Sequence, residues 1–465
     1  DENIENDDKT NLTYILQSKN LINFLNCYQR EHGILVLEID INNNYSKNIT
    51  DTIKEINGYV KYYFNNLKLL DWHKIYEYYK KKYDLLFDYE EKKDELSLVE
   101  SISINMHYFS EQNYYNGDQV VLCKEYAKLI EQLECLKFDK VNIVYSTKEK
   151  IDNISYKEDK YYNNKYGQLK NSLMDVEEIP FEFDVDTNNV YYNIKPKVYT
   201  DLDKYSIPQM IRPKIWYGAI SKFKEPKING YILMNHNNFF DTIEDYIYNL
   251  LACHVLNHNL ENKFNKENDL GYRVKFRENI ALSNITITIT GLNDKYDYFF
   301  SSILQYFRLI LLDDDTILDS TINSKIDKLT EYYTNYNKLS PWKLANIKLN
   351  EMMLKYFHSR EALLGFLLKI DKDTLVNNIR KKIKILVSFK NIPVTIIFYG
   401  NMKKEMLPDI SIFKENLKLP NYGIPVIRQP KSIEIKHPNE EEENKLLMFI
   451  YPCGLFNPKE NIKLI

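Results

Sequence analysis

Ile285-Thr-Ile-Thr-Ile-Thr290 alternates apolar and polar side chains without a break, and Gly291 with Asn293-Asp294 follows it. A period of two puts the isoleucines on one face of a half-buried β-strand, and the Gly and Asn-Asp residues supply the turn. Past the turn, Phe299, Ile303, Phe307 and Ile310 recur at the spacing of a helix stripe. The same order stands near the start of the chain. Residues 33–41 (GILVLEIDI) form a short β-branched run, and Asn42-Asn43-Asn44 makes a turn. Ile49, Ile53, Ile56, Val60, Phe64 and Leu67 then make a second helical stripe.

More elements repeat at nearly the same distance. Leu21 and Leu270 each precede an apolar strand and helix, and 270 − 21 = 249. Tyr108-Phe109 and Tyr356-Phe357 close two helical hairpins, and 357 − 109 = 248. Each is followed by a striped helix, over 121–136 and 375–386, and by a closing strand, over 141–145 and 394–399. A near-constant offset across four elements predicts an internally duplicated α/β unit. Between the copies, residues 148–203 are polar and Tyr-rich. Their aromatics need a surface to cover, so this stretch reads as a packed connector. After Asn401 five prolines and the acidic run 440–443 mark a second break, and a further strand opens at Leu446.

The balance of 62 Lys+Arg against 66 Asp+Glu leaves a net charge of −4, which argues against a nucleic-acid binder. No apolar run reaches the ~18 residues of a membrane span. Five scattered cysteines without a C-x-x-C argue against a disulfide framework or thiolate zinc cluster and fit a reducing, cytoplasmic location. The chain starts at Asp1 without Met and stops at Ile465 inside an apolar pattern, so it reads as a piece of a longer polypeptide.

Catalytic signatures are absent from the sequence: it has no G-x-S-x-G, Walker loop, G-x-G-x-x-G, H-E-x-x-H or H-x-x-E-H. His254 and His258 stand at i and i+4 with Glu261 one turn on, a spacing compatible with metal ligands. H-E-x-x-H would need Glu at position 255, where this chain has Val255. The expectation is therefore no catalytic and no metal-binding residue within this chain.

Several short stretches together resemble one family. These are Tyr166-Gly-Gln-Leu-Lys170 with Glu178-Ile-Pro180, Lys214-Ile-Trp216 with Phe223-Lys-Glu-Pro-Lys227, and Leu270-Gly-Tyr272 with Gly291-Leu-Asn-Asp-Lys295. Phe398-Tyr-Gly-Asn401 and Asn457-Pro-Lys-Glu-Asn461 complete the set. Their order and spacing are similar to the insulysin/pitrilysin-type (insulin-degrading enzyme-like) zinc metallopeptidases. The resemblance implies an α+β fold of two duplicated domains, each an antiparallel sheet with helices packed on it. Residues 1–200 would be the second domain with its connector, 201–430 the third, and 431–465 the start of a fourth. It also implies that the chain forms chamber wall and peptide exosite, partnered by peptide substrate and by the first and fourth domains of its own polypeptide. Zinc is expected in the first domain and no cofactor here. By position the exosite maps onto Leu25, Cys27, Gln29, Gly33, Ile34 and Leu35. Cys27-Tyr28 replaces the family's small, glycine-containing pair; Tyr28, Gln29, Arg30 and Glu31 are expected in the loop before the strand, and Tyr28 is expected to crowd that edge. The alternative implied function is a pseudo-peptidase acting as a structural or interaction subunit.

Overall fold

The computed structural model describes residues 11–410 apart from 31–33, 43–48, 91–92, 118–127, 148–154 and scattered positions between 129 and 237. Beyond 410 it describes only a few residues near 413, 436–438 and 444–447. The chain divides into two compact units, Asp1–Lys195 with Asn262–Gly271, and Pro196–Glu261 with Tyr272–Ile465.

The first unit contains α1 (Leu12–Ser18), β1 (Ile22–Arg30), β2 (Ile34–Ile41), α2 (Ile49–Asn66), α3 (Trp72–Asp88) and α4 (Glu95–Tyr108). A two-residue ladder, β3 (Lys157–Glu158) and β4 (Lys165–Tyr166), follows. Asn11, Asp71 and Asp94 start α1, α3 and α4 by accepting the N–H of the residue three further on, which satisfies an otherwise orphan donor. β1 and β2 pair antiparallel, with Leu25 opposite Ile39 and Cys27 opposite Leu37. The predicted stripe of α2 turns inward: Ile53, Ile56, Val60 and Phe64 are buried. The connector is packed, as its aromatics suggested. Phe183 lies 5.0 Å from the Tyr63 ring and Phe181 5.9 Å from that of Tyr59. Asn57 Nδ2 donates to the Leu173 carbonyl at 2.8 Å, and Lys61 Nζ to that of Val176 at 2.7 Å. Gly58 permits this approach, since a Cβ there would stand 2.8 Å from the Ile179 side chain.

The second unit is built on a sheet of six strands among the described residues: β5 (Gln209–Arg212), β6 (Ile215–Ala219), β7 (Lys227–Asn235), β8 (Arg273–Asn279), β9 (Asn284–Leu292) and β10 (Val394–Gly400). Their order is β5-β6-β10-β7-β9-β8, antiparallel except for the β6–β10 pair. Its helices are α5 (Ile243–Lys263), α6 (Tyr296–Leu312), α7 (Asp319–Thr334), α8 (Pro341–Met353), α9 (Arg360–Lys369) and α10 (Lys372–Ser388). The alternation of β9 does what its period requires: Ile285, Ile287 and Ile289 are all fully buried while the threonines between them are half-buried. α6 sets Phe300 against Phe398 of β10 at 5.8 Å, and Phe307 against Phe276 of β8 at 5.9 Å.

One end of the sheet, where β9 and β10 finish, is closed by amide side chains. Asn293, just past β9, accepts the Lys197 N–H and donates to the Lys197 and Asn401 carbonyls, the latter two at 2.7 Å. Asn401, just past β10, accepts the Tyr199 N–H at 2.8 Å and donates to the Tyr199 and Ile220 carbonyls. Gly400 makes this corner possible: its φ is +155°, and a Cβ would stand 2.3 Å from the Lys227 carbonyl oxygen.

The duplication is present in the structure. Element starts are offset by 284 − 34 = 250 (β2, β9), 296 − 49 = 247 (α2, α6), 319 − 72 = 247 (α3, α7) and 341 − 95 = 246 (α4, α8). The buried faces correspond too. Leu25 and Cys27 of β1 match Val274 and Phe276 of β8, at 274 − 25 = 249 and 276 − 27 = 249, and all four are buried.

Two expectations differ from the structure. Residues 141–145 are not a strand; they are irregular, and Val144 is 93% exposed. β10, the strand they were expected to match, lies between β6 and β7, and the described part of the first unit holds no such neighbours for a backbone to pair with. Residues 28–30, expected in a loop, belong to β1. The helix over 121–136 falls largely outside the described residues, as do most of the proline-punctuated segment and the strand opening at Leu446.

Arg360, 5% exposed at the start of α9, fastens the end of α7. Its Nε donates to the Tyr333 carbonyl at 2.7 Å, its Nη2 to the carbonyls of Tyr332 and Tyr333, and its guanidinium lies 4.3 Å from the Tyr336 ring centroid. Arg360→Lys keeps the charge and loses the planar fork. Urea unfolding is expected to show a loss of about 2–3 kcal/mol.

Candidate peptide-binding edge

The residues that the resemblance assigns to an exosite lie on the β1–β2 hairpin. Leu25, Cys27 and Gln29 are on β1, Ile34 and Leu35 on β2, and Gly33 falls outside the described residues. Gln29 pairs in register with Leu35. The side chains of Leu25 and Cys27 point into the core, each 6% exposed. Burial, and after it the Cys27 thiol, hold the Tyr63 hydroxyl well above its ordinary pKa. A bound peptide would therefore meet the backbone edge of β1 rather than these two side chains. Ile34, by contrast, is 58% exposed.

Tyr28 pairs with Val36 and stands on the face opposite Leu25 and Cys27. Strand side chains rise from the sheet's faces, so the ring occupies a face rather than the edge it was expected to crowd. That face differs between the two copies. β8, outermost in its sheet, exposes Arg273, Lys275 and Arg277. The matching positions of β1, 249 residues earlier, are Phe24, Asn26 and Tyr28. Cations along an edge strand discourage a further strand from adding. β8 is guarded in this way along its length, whereas β1 has a single cation, Arg30, at its last position.

The His254 helix is organised for packing. His254 Nε2 lies 3.3 Å from Glu278 Oε1 of β8. Asn257, one residue before His258, grips the neighbouring strand: its Oδ1 accepts the Phe276 N–H at 2.7 Å and its Nδ2 donates to the Phe276 carbonyl at 2.9 Å. In the pattern H-x-x-E-H the residue before the second His is a glutamate, and here it is this bonded amide. Burial, then Lys325 and Lys328, push the His258 pKa down to about 3. Two lysines facing an imidazole oppose a divalent cation, and the described residues contain no group of three or more His, Cys, Asp or Glu placed to hold one. The residues around His254 and His258 do not fit a zinc site.

The chain can now be set beside known proteins. The family model described as the middle or third domain of peptidase M16 matches residues 87–364, well over half of the sequence. The chain belongs to the peptidase M16 family. Among solved structures, a crystal structure of pitrilysin is similar at TM-score 0.54 and 14% identity, over 87% of this chain and 43% of that one. A crystal structure of a conserved protein from Enterococcus faecalis V583 aligns at TM-score 0.32 and 11% identity, over 49% of this chain and 56% of that one. A comparison with curated protein sequences finds no match. This M16 chain thus spans less than half the length of the pitrilysin chain, with which it shares a fold. Among the described residues no helix is long and apolar enough to cross a membrane.

Sequence reasoning missed the roles of Asn257, Asn293 and Asn401 in the M16 chain, although two of them sit inside the quoted stretches Gly291-Leu-Asn-Asp-Lys295 and Phe398-Tyr-Gly-Asn401. An asparagine just past a strand is a usable signal, because its amide can continue strand-like pairing where the ladder stops.

His258 gives the M16 chain a pH signature. The folded state resists a proton that the unfolded chain accepts near the ordinary value of 6.5. Its contribution to stability is complete above pH 6.5 and declines as pH falls toward about 3, by at most about 1.4 kcal/mol per pH unit. His258→Gln is expected to flatten the acid limb of Tm against pH. An unchanged slope would contradict the assignment.

Proposed function

We propose that the two units are the non-catalytic middle portion of an M16 zinc metalloendopeptidase, forming part of its chamber wall, with the catalytic zinc held by residues outside this chain. The family match over 87–364 carries this reading. The absence of H-x-x-E-H and H-E-x-x-H from the sequence, and the bonding of Asn257, support the division of labour. The peptide contact we assign to the β1 edge. An extended segment adding to it would be held by main-chain hydrogen bonds, which tolerate many sequences. The neutral Phe24, Asn26 and Tyr28 leave this edge accessible, whereas the cations of β8 guard the matching edge. The buried thiols of Cys27 and Cys253 are compatible with a reducing, cytoplasmic setting.

One observation favours the second reading, a pseudo-peptidase serving as a structural or interaction subunit. Tyr28 stands where members of the resembling family carry a small residue, so the site has moved away from their pattern.

Two measurements test the proposal. Purified chain is expected to show no peptide hydrolysis that a chelator abolishes and zinc restores; such activity would overturn the division of labour. Titration of a fluorescein-labelled extended peptide should show binding that Asn26→Lys combined with Tyr28→Arg, a copy of the β8 pattern, weakens at least about tenfold. Identical affinity in both proteins would remove the edge from the proposal.

A further inference from the structure

The outer face of the β1–β2 hairpin carries charge of the opposite sign to its counterpart in the second unit. Residues directly opposite one another in an antiparallel pair share a face. Phe24 lies opposite Asp40, Asn26 opposite Glu38 and Tyr28 opposite Val36. The same register holds in the second unit, where Arg273 lies opposite Thr290, Lys275 opposite Thr288 and Arg277 opposite Thr286. At these matching positions one copy has three cations and no acid, and the other has two carboxylates and no cation. Arg30 lies opposite Ile34 at the far end of the hairpin, about 13 Å along the strand from Asn26.

The carboxylates are available. Glu38 is exposed, and Asp40 is steadied by Asn23, whose Nδ2 donates to its Oδ2 at 3.3 Å. Among the described residues neither has an ion pair. Asn26 is exposed as well, the short member of a row with half-buried Phe24 and Tyr28 about 7 Å away on either side. The regular part of β1 begins with this row. Its register slips just before Phe24, and the Asn23 carbonyl at the slip accepts the Gln17 amide at 3.1 Å.

We propose that this face selects cationic extended peptides, seating a Lys or Arg side chain over Asn26, between Phe24 and Tyr28, with its charge toward Glu38. The inference rests on the reading of the β1 edge as the peptide contact and gives that site a substrate class. A strand added to β1 would run about 4.8 Å from it and about 10 Å from β2. A side chain on its outer face opposite Asn26 is then in line with Glu38, across the short amide. A Lys or Arg stem covers Asn26 while its head stays in water, the flanking rings favour a cation, and Glu38 and Asp40 supply the opposite charge. A glutamate at the same place would meet two carboxylates. Main-chain hydrogen bonds hold the peptide without reading its sequence, so the preference comes from this row. It concerns the peptide residue over Asn26, wherever the scissile bond lies.

Anisotropy titrations with three labelled extended peptides, identical except for a central Lys, Gln or Glu, test the selectivity. Chain 1–465 is expected to bind the Lys peptide at least about tenfold more tightly than the Gln peptide, with the Glu peptide weakest. Glu38→Gln should reduce the Lys-over-Gln ratio to about threefold or less. Glu100→Gln, which removes an exposed acid on α4, should leave the ratio intact. Equal affinity for the Lys and Gln peptides would overturn the inference. So would an equal fall of the ratio in Glu38→Gln and Glu100→Gln, which means diffuse attraction to a chain of net charge −4. The edge itself is judged by the Gln peptide on the Asn26→Lys, Tyr28→Arg double variant. Weaker binding there, with no Lys preference in the parent, keeps the edge and removes the selectivity. If no peptide binds the parent, edge and selectivity fall together.

Discussion

Asn293 and Asn401 close a ring of buried hydrogen bonds on which the second unit's sheet depends. Each is almost fully buried, and each satisfies backbone groups of a segment that no ladder reaches. Their partners, Lys197, Tyr199 and Ile220, lie up to about two hundred residues away in sequence. Through them the first residues of the unit are fixed beside the ends of β9 and β10. A buried amide or carbonyl left without a partner costs about 1–3 kcal/mol, so an apolar residue at either position would expose several groups to that penalty at once. The resemblance to the M16 family runs through these same residues. In this chain they are architecture.

The same economy appears wherever the structure departs from simple ladders. Asn257 pairs with both backbone groups of Phe276, Asn57 reaches the connector, and Arg360 takes up the carbonyls at the end of α7. Long polar side chains finish what secondary structure leaves open. The two copies of the unit diverge in what surrounds a common hairpin. In one it is part of a broad sheet with charged residues at its rim. In the other it is a pair of strands whose outer face carries Phe24, Asn26 and Tyr28 beside Glu38 and Asp40, with the half-buried Leu35, Leu37 and Ile39 on the inner face.

Much of this could be read in the sequence. The Ile-Thr alternation of β9 and the stripes of α2 and α6 have one period each and one phase, so pattern and burial agree. β1 was harder to read. Its inward residues are Ile22, Leu25 and Cys27, spaced three and then two, because the register slips between Ile22 and Phe24 and shifts the phase of the alternation. The run 141–145 failed in the opposite direction. Its composition is that of a strand, but a strand exists only when another backbone pairs with it, and composition carries no information about that partner. Likewise the histidine spacing in α5 was visible, while the residues that decide its meaning, Glu278, Lys325 and Lys328, are brought close only by the fold.

The claim most open to direct test is that the family-like asparagines act together to hold the sheet rather than to serve a reaction. A double-mutant cycle on Asn293→Ala and Asn401→Ala, read by urea unfolding, measures it. Because both side chains secure the segment carrying Lys197 and Tyr199, the expected result is a loss in each single variant and a coupling of at least about 1 kcal/mol. Losses that add within about 0.3 kcal/mol, or single variants as stable as the parent, would contradict it.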